Sequence, residues 1–212
     1  MHNIIIYGGS FDPIHNGHLK TALQVQNEFN FESFIFLPCK IPLLKEATKA
    51  SAKQRMQMLQ QAVFPYPAFK IDLREIEREG PSYMVETLKS FRKECGECTA
   101  INLLVGMDTF LQLPQWYQWQ KIIGLANILV MERPTDTIEN SPDALKKVLQ
   151  KHQTLNKKDL LNCAAGKIYL YNAGFYPVSS SWLREQIKKG NDVSSYLPGG
   201  IAEYIKAQGL YQ

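Results

Sequence analysis

Short apolar runs recur along the chain, separated by longer stretches in which apolar residues return every three or four positions. The runs at 3–7, 33–37, 68–71, 101–105, 128–131 and 167–171 predict strands, of which 68–71 is the weakest in pattern. The stretches at 19–29, 52–62, 82–93, 142–152, 181–189 and 201–208 predict helices. In the second of these Arg55, Met56 and Leu59 fall at helical spacing, and Ser82 reads as the N-cap of the third. Gly190 and Gly209 stand where helices tend to stop. Strands alternating with helices predict an α/β fold: a doubly wound parallel sheet with helices on both faces and a small C-terminal helical part. Two stretches break the pattern, 38–51 with its two prolines and three lysines, and the polar 135–166. The first directly follows a strand, and ligands of open parallel sheets bind outside the carboxyl ends of strands.

Composition narrows this picture. At 212 residues the chain is long enough for one α/β domain with a full core, and it carries neither repeats nor low-complexity tracts. We expect a single domain over 1–212. A formal charge of +4, with basic residues scattered apart from pairs such as Lys146-Lys147, disfavours nucleic acid and favours a small anionic substrate. Met1-His2-Asn3 leads straight into the first strand, and no apolar run approaches a membrane span, so the expected location is cytoplasmic, without membrane partners. Of Cys39, Cys95, Cys98 and Cys163, the middle two form a CxxC at a helix end, but the second half of a zinc site is missing. They read as reduced bystander thiols.

The chemistry concentrates in Gly8-Gly9-Ser10-Phe11-Asp12-Pro13-Ile14-His15-Asn16-Gly17-His18, between the first strand and the first helix. A helix N-terminus presents unpaired N–H groups and the positive end of its dipole, which favour phosphate. The glycines let a ligand approach the main chain, and two imidazoles three residues apart add donors. His-x-x-His also suits a metal, but no adjacent carboxylate or thiol completes a ligand set, so no metal is expected. His2 and His152 stand alone and read as structural or surface residues. A second hydroxyl-rich helix start, Ser179-Ser180-Ser181-Trp182-Leu183-Arg184, reads by itself either as an ordinary serine cap or as a phosphate site with an arginine one turn in.

Together the two motifs resemble the H-x-G-H nucleotidyltransferase superfamily, whose members join a nucleoside monophosphate to a phosphorylated small molecule and release pyrophosphate. Over nearly the whole chain the remaining motifs resemble the bacterial nicotinate-nucleotide adenylyltransferase family. They are Arg78 with Gly80-Pro81-Ser82-Tyr83-Met84-Val85-Glu86-Thr87-Leu88, Gly106-Met107-Asp108, Leu113-Pro114-Gln115-Trp116, Arg133-Pro134 and the closing Gly209-Leu210-Tyr211. The resemblance implies a Rossmann-like fold with the second phosphate motif in 175–212. It implies adenylyl transfer from ATP to nicotinate mononucleotide in NAD biosynthesis, with Mg²⁺ delivered on ATP. A sister adenylyltransferase acting on nicotinamide mononucleotide or another phosphorylated acceptor, and a non-catalytic nucleotide-binding regulator, are the alternatives.

By the same resemblance His18 and His15 are the catalytic pair. Gly8, Gly9, Ser10, Phe11, Asp108, Ser179, Ser180, Ser181 and Arg184 join them in binding ATP. Lys45, Ser82, Tyr83, Met84, Trp116 and Tyr117 take the mononucleotide, with Trp116 stacked on the pyridine ring. Trp116 and Trp119 without that context read equally as core aromatics. Three positions depart from the family pattern: Ser181 and Met84 replace threonines, and Leu44 stands where a histidine is usual. The last leaves the choice between acid and amide substrates open, and the sequence leaves open whether the chain forms a homo-oligomer.

Overall fold

Strands β1 (Asn3–Gly9), β2 (Ser33–Pro38), β3 (Phe69–Ile71), β4 (Ala100–Gly106), β5 (Asn127–Met131) and β6 (Ile168–Tyr171) form one sheet in the order β3-β2-β1-β4-β5-β6. The structure, a computed structural model, describes residues 2–42, 44, 47–132, 141–172, 174 and 176–212. The sheet is all-parallel and the fold is the expected α/β class. Asn3 pairs with Ala100 and Tyr7 with Leu104, and the register continues from Asn102–Asn127 to Gly106–Met131. Strand β5 is buried throughout, as are β2 and all of β4 but its last residue, which is why they read as continuous apolar runs. The winding reverses between β1 and β4, the kind of point beside which α/β sheets bind ligands.

The chain divides into two compact units, with β1 and β2 each contributing to both. The first comprises Met1–Gly8, Val25–Ile35 and Tyr83–Phe175. Its core joins Ile4, Ile5 and Ile6 with Leu103, Leu104 and Ile128 and with Val85, Leu88 and Phe91 of helix α4 (Met84–Cys95). Buried Arg92 of that helix is fully employed on carbonyls: it donates to Thr99 at 2.6 Å, Leu125 at 2.8 Å and Ala164 at 2.7 Å, tying loop ends to the helix. The second unit comprises Gly9–Gln24, Phe36–Ser82 and Tyr176–Gln212. Helix α2 (Ala52–Val63) starts on a Ser51–Gln54 capping box. Its buried face is Arg55, Met58, Leu59, Ala62 and Val63, so Met58, not Met56, is the core methionine.

The six expected strands and six expected helices are all present, with shifted ends. Helix α1 (Asn16–Phe29) begins three residues before its apolar periodicity does, which places His18 in its first turn. Helix α4 begins two residues late: Tyr83 is its N-cap, and the Ser82 hydroxyl instead accepts from the Lys40 N–H at 3.3 Å. Four helices were not evident in the pattern: α3 (Arg74–Glu77), α5 (Met107–Leu111), α6 (Trp119–Leu125) and α8 (Asp159–Asn162). At four to seven residues they are too short for a 3.6-residue period to emerge. Helix α7 (Asp143–His152) and α8 occupy part of the polar stretch 135–166. In the second unit, α9 (Ser180–Lys188) and α10 (Ile201–Ala207) supply the C-terminal helices. Among the described residues no helix is long and apolar enough to cross a membrane.

Candidate active site

The second unit gathers both phosphate-type motifs. After β1 the chain turns through Ser10 and Phe11, the latter at φ +48°, and enters α1 at Asn16. The His15 N–H lies 3.3 Å from His18 Nδ1, and the His18 N–H lies 3.3 Å from His15 Nδ1 as well as 2.9 Å from the His15 carbonyl. Each Nδ1 thus serves as an acceptor, which assigns the proton of the neutral ring to Nε2 in both. The rings stack with centroids 3.6 Å apart and 26° between planes, and Phe11 meets the His18 ring edge-on at 5.2 Å. His15 is 5 % exposed and His18 half-buried. A side chain at Gly17 would approach Val178 to 2.8 Å and His15 Nδ1 to 3.0 Å, so glycine is required for this packing. Gly9 is similarly capped by the Phe11 ring, at 3.0 Å from where its Cβ would stand.

Serines of the second motif brace this turn. Ser179 caps α9 by accepting from the Trp182 N–H at 3.2 Å. The Ser180 hydroxyl donates to the Pro13 carbonyl at 2.9 Å. Arg184 Nη1 donates to the Asp12 carbonyl at 2.8 Å, and its Nη2 lies 3.3 Å from Ser181 Oγ. Asn16 Nδ2 donates to the carbonyls of Ser195 and Leu197. The α9 start and the Arg184 guanidinium are therefore hydrogen-bonded to the turn that carries the two histidines, an arrangement of donors suited to polyphosphate.

Two supports of this turn, Arg55 and Tyr211, escaped the reading of the sequence, whereas Asp12 belongs to the motif itself and only its partners are new. Arg55 is wholly buried, donating from Nη1 to the Ser10 carbonyl at 2.6 Å and from Nη2 to the Lys40 carbonyl at 3.1 Å, while its Nε lacks a partner. An arginine on the apolar face of a helix was the available signal. Asp12, 2 % exposed, accepts from the N–H groups of Lys49 and Ala50 at 2.8 and 3.1 Å, and so holds loop 47–50 to the turn. Tyr211 donates to Asp12 Oδ1 at 2.8 Å, a contact over 199 residues of sequence that no local pattern foretells.

The first unit holds the remaining candidates. Asp108 is half-buried in the first turn of α5, just past β4. Tyr83 and Tyr117 pack with ring centroids 4.5 Å apart and planes tilted by 35°. Tyr117 is 50 % exposed, Trp116 is half-buried, and Trp119 is buried at 8 %. The two tryptophans thus divide: Trp119 is a core aromatic and Trp116 keeps an accessible part. Met84 opens α4 with its Cε lying 3.3 Å from where a Gly8 side chain would begin. Lys45 and the Arg133-Pro134 pair lie outside the described residues. Cys95 ends α4 and Cys98 is exposed; among the described residues no group of three or more His, Cys, Asp or Glu could hold a metal. His152 Nδ1 is paired with the Gly166 carbonyl at 2.8 Å and His2 with Glu32, both structural or surface roles as expected.

Comparison with known proteins bears on the whole chain. Residues 6–195 match the cytidylyltransferase-like family. A Legionella pneumophila (strain Corby) protein named "Probable nicotinate-nucleotide adenylyltransferase" is 51 % identical over 212 residues, all of both chains. The Escherichia coli O6:H1 nicotinate-nucleotide adenylyltransferase is 34 % identical over 207 residues, 98 % of this chain and 97 % of that one. The solved structure of Plasmodium falciparum nicotinic acid mononucleotide adenylyltransferase complexed with NaAD superposes with a TM-score of 0.76 at 22 % identity, covering 100 % of this chain and 98 % of that one. The same parasite enzyme complexed with APC gives 0.73 at 21 % identity, with the same coverage. With full-length relatives at this identity, the chain belongs to the nicotinate-nucleotide adenylyltransferase family.

Proposed function

We propose that this chain transfers the adenylyl group of Mg²⁺-bound ATP to nicotinate mononucleotide, giving deamido-NAD and pyrophosphate, as a single cytoplasmic nucleotidyltransferase domain. The attacking phosphate oxygen of the mononucleotide is already anionic, so the reaction requires neither a general base nor a protein nucleophile. What it requires is in-line positioning and stabilisation of charge on the α-phosphate and the departing pyrophosphate. The observation that carries the reading is the stacked His15–His18 pair, with Nδ1 of each ring occupied by a backbone N–H and the donor proton assigned to Nε2.

In this reading His18 Nε2 donates to the α-phosphate undergoing transfer and His15 Nε2 to the phosphate beside it. The backbone of Gly8, Gly9, Ser10 and Phe11 lies along the nucleotide, and Asp108 accepts from a sugar hydroxyl. The α9 start at Ser179, Ser180 and Ser181 takes the β- and γ-phosphates together with Arg184. Because the turn is already fixed by Arg55, Asp12 and Ser180, its donors need little reorganisation when charge develops, which is where electrostatic stabilisation is largest. Trp116 offers its face to the electron-poor pyridinium ring, Tyr117 and Tyr83 flank it, and Ser82, Met84 and Lys45 complete the mononucleotide set.

The test is pyrophosphate release from ATP with nicotinate or nicotinamide mononucleotide supplied side by side. Turnover at least tenfold more efficient with the acid is the expected result. A preference for the amide would move the chain to the sister activity, and no turnover with either would leave a nucleotide-binding protein.

A further inference from the structure

Asp12 and Arg184 are oppositely charged neighbours that do not make the contact expected of them. Left unconstrained, a carboxylate and a guanidinium close into a short, often bidentate ion pair. Here Arg184 Nη1 stands 3.9 Å from Asp12 Oδ2 and donates instead to the Asp12 backbone oxygen at 2.8 Å. The carboxylate is occupied by neutral donors: the Lys49 N–H on Oδ2, the Ala50 N–H and the Tyr211 hydroxyl on Oδ1. Two of these donors belong to the backbone. The third is a single phenol that reaches the site from beyond α10.

We propose that Tyr211 is a positioning residue for ATP: its hydroxyl anchors the Asp12 carboxylate away from Arg184, so that the guanidinium keeps its charge available for the triphosphate. The inference rests on the reading of Arg184 as a phosphate ligand given above. Burial pushes the Tyr211 hydroxyl well above the usual phenol range, with the Asp12 charge adding to the effect, so it remains a protonated donor at any working pH. Without that donor, Asp12 Oδ1 keeps only the Ala50 N–H, and the carboxylate can shift about its two remaining backbone donors to shorten its 3.9 Å approach to Arg184 into a direct ion pair. The guanidinium would then have to break that pair to bind phosphate. The penalty falls on ATP alone.

The experiment compares steady-state kinetics of Tyr211→Phe, Arg184→Gln and the double variant, varying ATP and nicotinate mononucleotide separately. Tyr211→Phe is expected to raise KM for ATP about 5–10-fold. Its KM for the mononucleotide should stay within about twofold and its Tm within about 5 °C of the parent, since only one hydroxyl is removed. The decisive measurement is the double variant: once Arg184 is gone, losing the hydroxyl should change the ATP KM by less than about twofold. A rise in both KM values that persists in the Arg184→Gln background would overturn the inference, because it would report a general loosening. If Arg184→Gln weakens ATP while Tyr211→Phe does not, the inference alone falls. If Arg184→Gln leaves the ATP KM untouched, the phosphate role of Arg184 falls and takes the inference with it.

Discussion

The turn at 9–18 and the aromatic segment at 113–119 are both assigned to substrate, yet they are built differently. In the turn, buried groups are held from several directions: Ser10 by Arg55, Pro13 by Ser180, and Asp12 by two backbone amides, Tyr211 and Arg184. Between the buried Leu113 and Trp119, residues 114–118 including Trp116 are half-buried or exposed, and the tie of the Tyr117 hydroxyl is to its own neighbour, Gln118 Nε2, at 2.7 Å. The contrast fits the roles proposed for the two regions. Stabilising charge in a transition state depends on donors fixed beforehand, whereas recognising a flat ring depends on presenting a face, which needs little more than packing from behind.

Substitutions can break or sharpen that contrast. The largest effect belongs to His18→Ala, which should lower kcat by on the order of 10²–10³ or more, measured as single-turnover pyrophosphate release. Near-parental turnover would remove the histidine pair from the mechanism. Next comes Arg55→Leu. It leaves the Ser10 and Lys40 carbonyls buried without their donor, so unfolding in urea should show a loss of about 2–4 kcal/mol together with a weaker turn and reduced kcat. A neutral result would mean that the turn is held without its buried cation.

Smaller effects are expected on the aromatic side. Trp116→Ala should cost about 1–2 kcal/mol of mononucleotide affinity, seen as a roughly 5–30-fold higher KM, and leave the ATP KM unchanged. Equal loss for both substrates would contradict stacking on the pyridine ring. Tyr117→Phe should be the mildest of all, less than about 0.5 kcal/mol in either affinity or stability, because it keeps the ring and removes an exposed hydroxyl. A large effect there would place hydrogen bonding, not ring faces, at the centre of this region.

Much of the molecule was legible before any coordinates. The six strands announced themselves because burial on both faces makes a parallel strand continuously apolar, and the long helices did so because one apolar stripe suffices to place them. The histidine turn was legible because the glycines, the two imidazoles and the helix start are contiguous. The short helices α3, α5, α6 and α8 escaped, since fewer than two turns leave no period to detect. Ser82 misled because a serine ahead of a helical pattern is the usual cap, while here its hydroxyl is taken by Lys40.

By itself, then, the sequence determined the fold class, the family and the two motifs proposed to take phosphate, all of which are written in local patterns and contiguous residues. The tertiary structure alone decided which groups support those motifs. Arg55 reads as a misplaced charge until Ser10 and Lys40 are seen against it, Trp116 is indistinguishable from Trp119 until one is found buried, and Tyr211 has no visible tie to Asp12 until the chain has folded. The reason is physical: periodicity records which face of an element is buried, but a hydrogen bond between residues 12 and 211 depends on how distant segments meet, and sequence spacing carries no trace of it.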